Sequence, residues 1–243
     1  MNAKSKKTPL LLLVTILGIA ALAARFVLYL TATDEKGLLT QNHPLTLVLW
    51  VLTAAAAAIT VFFVRKLGGA YSYEANYPAS RGAAVGCLLF AAGILIAVLV
   101  NRNGNAPSEI ARNVLGLLAV PALAGLAVCR WKGNRPHFAF HTIICLFLLL
   151  YTISHYALWS SYTQLQNAAF PMLGSILLLL FAYHQAAFDV ELGNRRMVLG
   201  CGCMAVFACL AAFPFCPDPP LYLTGAVWAA TNLCSRAPVE AAE

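Results

Sequence analysis

Long apolar segments alternate with short polar ones along the whole chain. Eight apolar segments stand out, near residues 9–30, 45–64, 82–100, 110–128, 138–159, 168–187, 198–213 and 220–234. A helix of about 20 residues crosses a bilayer core of roughly 30 Å, and most of these segments approach that length. The pattern predicts an all-α fold, a polytopic transmembrane helical bundle of about eight spans in a single integral membrane domain. Because the last segment is short, seven spans followed by a re-entrant or interfacial segment is the alternative.

The composition agrees with a membrane protein. Hydrophobic residues make up 61% of the chain and charged residues 10%, with a mean hydropathy of +0.77. An average soluble domain has about 45–50% apolar and about 25% charged residues. The expected partner is therefore the lipid bilayer, and the net charge of +7 is not interpreted as a nucleic-acid footprint.

The basic residues predict the orientation of the bundle. If the N-terminus is inside and the spans alternate, the inner segments hold 12 of the 16 lysines and arginines and the outer loops hold three. This is the positive-inside bias of a multi-pass protein with both termini in the cytoplasm. Trp131 and Tyr73 fall near predicted interfaces, where aromatic anchors are expected.

Polar residues recur along one face of the fifth apolar segment. His141, Cys145, Thr152 and His155 are separated by four, seven and three residues, which places them on one side of an α-helix. In a membrane such a face is expected to turn toward the interior of the bundle, because lipid cannot satisfy polar groups. We therefore expect His141, Thr152 and His155 to line a ligand-binding site.

The sixth segment adds polar residues at a similar depth. It runs in the opposite direction, so the helical rise places His184 level with His141, each roughly 10 Å from its helix midplane. Gln185 and Asp189 extend this group toward the inner interface, where an arginine at the start of the next segment can pair with Asp189. The sharper hypothesis is a binding or proton-relay site that includes His184 and Gln185. The alternative is that each histidine only bonds a neighbouring helix.

A second polar group follows the first segment. Arg25 lies inside the outer boundary, and Asp34 and Glu35 come shortly after the segment ends. We expect these three residues to form an outer-face cluster, either an ordered cap or a vestibule for a ligand or ion.

This stretch also carries a resemblance. It includes Arg25, Tyr29, Thr31, residues 34–38 and the dipeptide His43-Pro44. Between Arg25 and Pro44 the chain resembles uncharacterised polytopic membrane proteins of anaerobic Gram-positive bacteria. The resemblance implies no activity, and it makes a bacterial plasma membrane the expected location.

Three glycines of the third segment form a stripe of small residues. Gly82, Gly86 and Gly93 are separated by four and seven residues. Such a stripe lets another helix approach closely, so we expect a membrane protein partner to dock on the Gly82/Gly86/Gly93 face.

Missing motifs narrow the function. The chain has no phosphate-binding glycine loop, no H-E-x-x-H and no G-x-S-x-G motif. All nine acidic residues fall in loops, tails or helix edges, which argues against a carrier built on a mid-membrane carboxylate. No catalytic residue, cofactor or metal site is predicted. The first functional interpretation is a transport or substrate-binding membrane component for a small molecule. The alternative is a non-catalytic assembly or regulatory partner of an envelope complex, and an intramembrane enzyme using His141 and His184 ranks third.

Overall fold

The computed structural model describes residues 4–32, 43–65, 72–101, 106–159 and 166–236, and the regular structure in these ranges is entirely helical. The helices are α1 Lys4–Ala32, α2 Pro44–Val64, α3 Tyr73–Asn76, α4 Arg81–Val100, α5 Pro107–Lys132, α6 Phe138–Trp159, α7 Gln166–Asp189, α8 Arg195–Ala212 and α9 Pro219–Cys234. Seven of them are long and apolar enough to cross a membrane, namely α1, α2 and α4 to α8. The all-helical, multi-pass membrane character predicted from the sequence is thus confirmed. Asp34 and Glu35 of the predicted outer-face cluster lie outside the described residues.

Local sequence signals fix where the helices begin and end. The Ser80 hydroxyl accepts a bond from the Ala83 amide at the start of α4, and the Asn194 side chain accepts one from the Arg196 amide at the start of α8. These side chains satisfy amides that lack partners within the helix. Gly133 ends α5 in the left-handed conformation, with φ of 75°, which glycine adopts without strain. Proline occupies the first turn of α2, α5 and α9, at Pro44, Pro107 and Pro219.

The bundle is built around α8 and α9. α8 packs against α1, α2, α7 and α9, while α4 lies between α5 and α9. Trp228 of α9 is fully buried at the centre, with its ring stacked on Phe90 at 4.8 Å and against the edge of Phe181 at 5.1 Å. α2 is the least buried of the long helices, so most of its apolar surface faces away from the bundle.

The glycine stripe of α4 is used within the chain. A Cβ added at Gly86 would lie 2.0 Å from Thr231 Oγ1, and one added at Gly93 would lie 2.0 Å from Thr224 Oγ1. Both threonines belong to α9, so α9 occupies the face on which a partner protein was expected. Only Gly82 is exposed. The expectation of a partner on the whole Gly82/Gly86/Gly93 face is corrected accordingly, because two of its three glycines are covered.

Side-chain contacts define two ends of the bundle. We call one of them the basic end: it contains the last residues of α5, α7 and α9 and the first residues of α4, α6 and α8. Here, for example, the Ser80 amide donates a hydrogen bond to the Arg130 carbonyl at 2.8 Å. At the other, the opposite end, α4, α6 and α8 end and α5, α7 and α9 begin. There the Asn101 side chain donates to Asp218 at 2.6 Å.

Candidate functional site

Two histidine–aspartate pairs lie on one face of α6, near its two ends. At the basic end, His141 Nδ1 lies 2.5 Å from Asp189 Oδ2, and both residues are buried. At the opposite end, His155 Nε2 lies 3.4 Å from Asp218 Oδ2. The two histidines are 14 residues apart, or about 21 Å along the helix. They therefore belong to separate sites.

The pair at the opposite end is part of a bonded network that joins three helices. The Tyr151 hydroxyl donates to Asp218 Oδ2 at 2.8 Å, and the Asn101 amide donates to Oδ1. Burial alone would raise the pKa of Asp218, but the bonds from His155, Tyr151 and Asn101 outweigh it and hold the pKa below its ordinary value. Asp218 precedes α9 directly, so this network fixes where α9 starts relative to α4 and α6.

Arg25 also has a structural task. Its guanidinium Nη1 donates to the carbonyls of Ala211 at 2.6 Å and Ala212 at 3.2 Å, which are the last residues of α8. It also lies over the Phe215 ring, 5.7 Å from the centroid. An arginine at a helix C-terminus donates hydrogen bonds to carbonyls that lack partners within the helix. Its positive charge is also attracted to the negative end of the helix dipole. Arg25 therefore acts as a cap on α8, and the rest of the predicted outer-face cluster, Asp34 and Glu35, lies outside the described residues.

The other predicted ligand residues separate into two groups. Gln185 is buried and lines the same cavity as His141. Thr152 donates to the Leu148 carbonyl of its own helix at 2.8 Å. His184 is half-buried beside Tyr183, and it is not among the residues that line the cavity. The structure thus brings together His141, Gln185 and Asp189, and it places His184 outside this group.

The cavity at the basic end is lined by both polar and apolar side chains. The apolar residues are Cys87, Leu126 and Trp228, and the polar ones are Tyr73, Tyr77, Arg130, His141, Gln185 and Asn232. The empty space is about 270 Å³ including the part open to solvent, but its enclosed part has room for only about one water molecule. One water molecule or one small polar group fits there without rearrangement. A larger group enters only when lining side chains move.

Two arginines lie against the ring of Tyr77. The guanidinium carbons of Arg130 and Arg236 each lie 4.6 Å from the ring centroid. Arg130 Nη2 donates to the Ser235 hydroxyl at 2.6 Å, and Arg236 Nη2 donates to the Tyr77 hydroxyl. The aromatic ring stabilises both cations. Tyr77 therefore holds α5 and the end of α9 together.

The arginines at this end are more deeply buried than basic residues in a loop normally are. Arg130 and Arg195 are 4% exposed, and Arg236 is 6% exposed. Within the described part of the chain, Nε and Nη1 of Arg130 and the same two atoms of Arg236 are buried and make no hydrogen bond. Asp189 Oδ1 is a buried acceptor in the same condition. Buried polar groups are normally hydrogen-bonded, so these atoms mark a candidate site for water or a polar ligand.

Sequence reasoning missed this arginine cluster. Three of these arginines were counted from the sequence only as basic residues of the inner segments. In the structure each lies at a helix end: Arg130, Arg195 and Arg236. Tyr73, expected as an interface anchor, is buried instead, and its ring stacks on Tyr77 at 5.0 Å. Burial raises the pKa of Tyr73 to about 12, so its hydroxyl stays protonated. The spacing of Tyr73 and Tyr77 could have indicated that they pack together. They are four residues apart, which places both on one side of a helical turn.

No group of three or more histidine, cysteine, aspartate or glutamate side chains suited to a metal ion occurs in the described ranges. No protein-family model, no curated protein and no solved structure matches this chain.

Proposed function

We propose that this chain is a multi-pass protein of the plasma membrane that binds a small molecule at the basic end of its bundle, as a transport or substrate-binding component. The observation that carries the proposal is the cavity between α4, α5, α6, α7 and α9, whose wall includes His141, Gln185 and Arg130. Ligand sites in membrane proteins are built from such inward-facing polar and ionisable groups. Binding here would place the ligand within reach of one side of the membrane.

The proposal includes eight spans with both termini in the cytoplasm. α9 has 16 residues, or about 24 Å, which is short for a spanning helix. Its contacts nevertheless reach both ends of the bundle, since Asp218 bonds Asn101 at one end and Arg236 bonds Tyr77 at the other. An eighth crossing returns the C-terminus to the side of the N-terminus. The positive-inside rule then makes the basic end cytoplasmic.

The choice between the two functional interpretations rests on α4. An assembly partner was favoured by a glycine face free to receive another protein, and α9 covers that face at Gly86 and Gly93. A transport component was expected to have a polar cavity that reaches the midplane and is lined by His141, Thr152 or His184. The cavity at the basic end is lined by His141 alone of these three, which supports a binding component. We therefore place ligand binding first.

The test is a ligand screen read by thermal stability. The purified chain in detergent is screened with metabolites and lipids, and each hit is repeated with His141→Ala, Gln185→Ala and His184→Ala. His184→Ala is the matched control, because it removes a histidine of similar depth that does not line the cavity. A ligand that binds only the folded state raises the melting temperature.

We expect a hit to stabilise the wild type and His184→Ala, and to have little effect on the two cavity variants. If no compound stabilises the wild type, or if every variant responds as the wild type does, ligand binding at the basic end is refuted.

A further inference from the structure

We infer that the ligand bound at the basic end carries a carboxylate group, which accepts hydrogen bonds from the guanidinium group of Arg130 and from the hydroxyl of Tyr73. This inference rests on the proposed function and names the chemical class of its ligand. The carboxylate belongs either to a soluble organic acid or to a fatty acid in the membrane.

The first support is a pair of donors that line one cavity without an acceptor. Arg130 and Tyr73 both line the cavity at the basic end, and both are almost completely buried. Nε and Nη1 of Arg130 and the hydroxyl of Tyr73 make no hydrogen bond with the part of the chain that the structure describes. Buried donors are normally bonded, so an acceptor in this cavity would satisfy both side chains.

The two donors also lie close to each other. Burial raises the pKa of Tyr73 to about 12, and the Arg130 guanidinium lies near enough to oppose this rise. The hydroxyl therefore stays protonated and can donate. Both side chains also contact Tyr77, whose ring stacks on Tyr73 at 5.0 Å and lies 4.6 Å from the guanidinium carbon of Arg130. One small ligand group can thus reach both donors.

The charge of Arg130 favours an anion over a water molecule. None of the carboxylates in the described ranges forms an ion pair with Arg130. Asp189, a buried carboxylate at the same end, is paired with His141 at 2.5 Å and does not line the cavity. The ring of Tyr77 offsets only part of the cost of burying this cation. A water molecule would accept the same bonds without bringing a charge, whereas an anion supplies both.

Charge and size favour a carboxylate among the anions. The described residues that line the cavity include one arginine, Arg130, and no lysine. A phosphate monoester carries about −1.5 to −2 charges and three acceptor oxygens, which is more than this lining matches. A carboxylate has one charge and two acceptor oxygens, which suit one guanidinium and one hydroxyl. One carboxylate oxygen fits the enclosed part of the cavity, and the rest of the ligand lies in the open part.

The experiment measures thermal stability in neutral detergent at constant ionic strength and mildly alkaline pH, so that the added acids are ionised. The soluble arm adds butyrate or hexanoate, with butyramide and hexanamide as uncharged analogues of similar shape. The membrane arm adds oleate to the micelles, with oleamide as its uncharged analogue. Inorganic phosphate is added separately as an anion of higher charge.

Two cavity variants are each compared with a matched control. Tyr73→Phe removes a hydroxyl from the cavity, and Tyr183→Phe removes one from an exposed tyrosine of α7 that does not line it. Arg130→Gln removes a charge from the cavity, and Arg65→Gln removes one from an exposed arginine at the end of α2. Because the Tyr73 hydroxyl makes no hydrogen bond within the described residues, Tyr73→Phe without ligand should melt no lower than the wild type.

We expect each effective carboxylate, but not its amide, to cause a saturable rise in melting temperature in the wild type and both controls. In Tyr73→Phe and Arg130→Gln the apparent Kd should rise roughly tenfold or more, because each loses a hydrogen bond to a charged group. If Arg130→Gln does not fold, Arg130→Lys replaces it and should also bind more weakly than the wild type. A response to butyrate or hexanoate indicates a soluble acid, and a response to oleate alone indicates a fatty acid. Either result supports the inference.

Three outcomes overturn the carboxylate inference. The first is a wild type that ignores all the acids but is stabilised by phosphate or by an uncharged ligand that needs His141, in which case the proposed function stands. The second is equal stabilisation by a carboxylate and its amide, which would show that the charge is not recognised. The third is a carboxylate response that Tyr73→Phe and Arg130→Gln retain in full, which would place the carboxylate elsewhere. If no compound of any class stabilises the wild type, the inference and the proposed function fail together.

Discussion

The contact between α4 and α9 makes Gly86→Ala a direct test of how the basic end is assembled. α9 brings Trp228 and Asn232 to the cavity, and the chain after it brings Arg236. A Cβ at position 86 would lie 2.0 Å from Oγ1 and 3.1 Å from Cβ of Thr231. Either Thr231 changes its rotamer and gives up its bond to the Val227 carbonyl, or α9 moves away from α4.

The expected magnitude is the difference between two opposing effects. Forcing an extra methyl group into a packed contact costs about 1–3 kcal/mol. Replacing glycine by alanine inside a helix recovers about 0.5–1 kcal/mol. Across these ranges the net loss is about 0–2.5 kcal/mol with a midpoint near 1 kcal/mol, and for a chain of this length each kcal/mol lowers the melting temperature by about 2–4 °C. From the midpoint we expect Gly86→Ala to melt roughly 2–5 °C below the wild type.

The assay is thermal unfolding in detergent, followed by tryptophan fluorescence. Gly200→Ala is the matched control, because a Cβ at Gly200 in α8 meets no atom within 4 Å; it should keep or raise the melting temperature. Adding Thr231→Ala to Gly86→Ala removes Oγ1 and should recover part of the loss. The packing argument fails if Gly86→Ala melts at or above the wild type, or if the two glycine variants shift alike.

Three further predictions concern the buried polar groups. Arg25→Ala should destabilise the protein by about 2–3 kcal/mol because the cap on α8 is lost, whereas Arg65→Ala should stay within about 0.5 kcal/mol. Because folding lowers the pKa of Asp218, its carboxylate contributes stability above its ordinary pKa, and that contribution is lost as the pH falls through the lowered value. The melting temperature of the wild type should therefore fall more steeply below about pH 4 than that of Asp218→Asn. His141→Leu leaves Asp189 buried without its partner and should cost about 3 kcal/mol, much of which adding Asp189→Leu should restore.

Each of these predictions has its own contrary result. Equal stability of the alanine variants at positions 25 and 65 would show that the cap on α8 contributes nothing. Identical acid profiles for the wild type and Asp218→Asn would mean that this carboxylate is not stabilised by its hydrogen bonds. If the leucine double variant melts no higher than the His141→Leu single variant, the His141–Asp189 pair is not a coupled unit.

The helices were predictable because lipid leaves the backbone few choices. In a bilayer every backbone amide and carbonyl must be bonded within the chain, so a long apolar run has to be helical. The eight apolar segments accordingly agree with the helices to within a few residues. The short α3 was not predicted, because a single helical turn depends on the Ser72 cap and on burial of Tyr73 and Tyr77 rather than on an apolar run.

The side-chain partners were not predictable, because they depend on which helix ends meet. Asp189 was expected to pair with an arginine at the start of the next helix, and Asp218 was assigned only to a loop or helix edge, but each is buried beside a histidine of α6. His141 and His184 were matched by depth alone, and depth does not say which way a side chain turns about its helix axis. The positive-inside rule already explained why arginines occur in the inner segments. The sequence therefore offered no separate reason to expect that Arg130 lines a cavity.

The most direct test of ligand binding at the basic end is equilibrium binding, to the purified chain, of a radiolabelled compound that the stability screen identifies. The wild type, His141→Ala and His184→Ala are compared at one ionic strength, with excess unlabelled compound as competitor. Saturable, competable binding to the wild type and His184→Ala, with at least roughly tenfold weaker binding to His141→Ala, is the predicted result. Indistinguishable binding by all three proteins would contradict a site that includes His141.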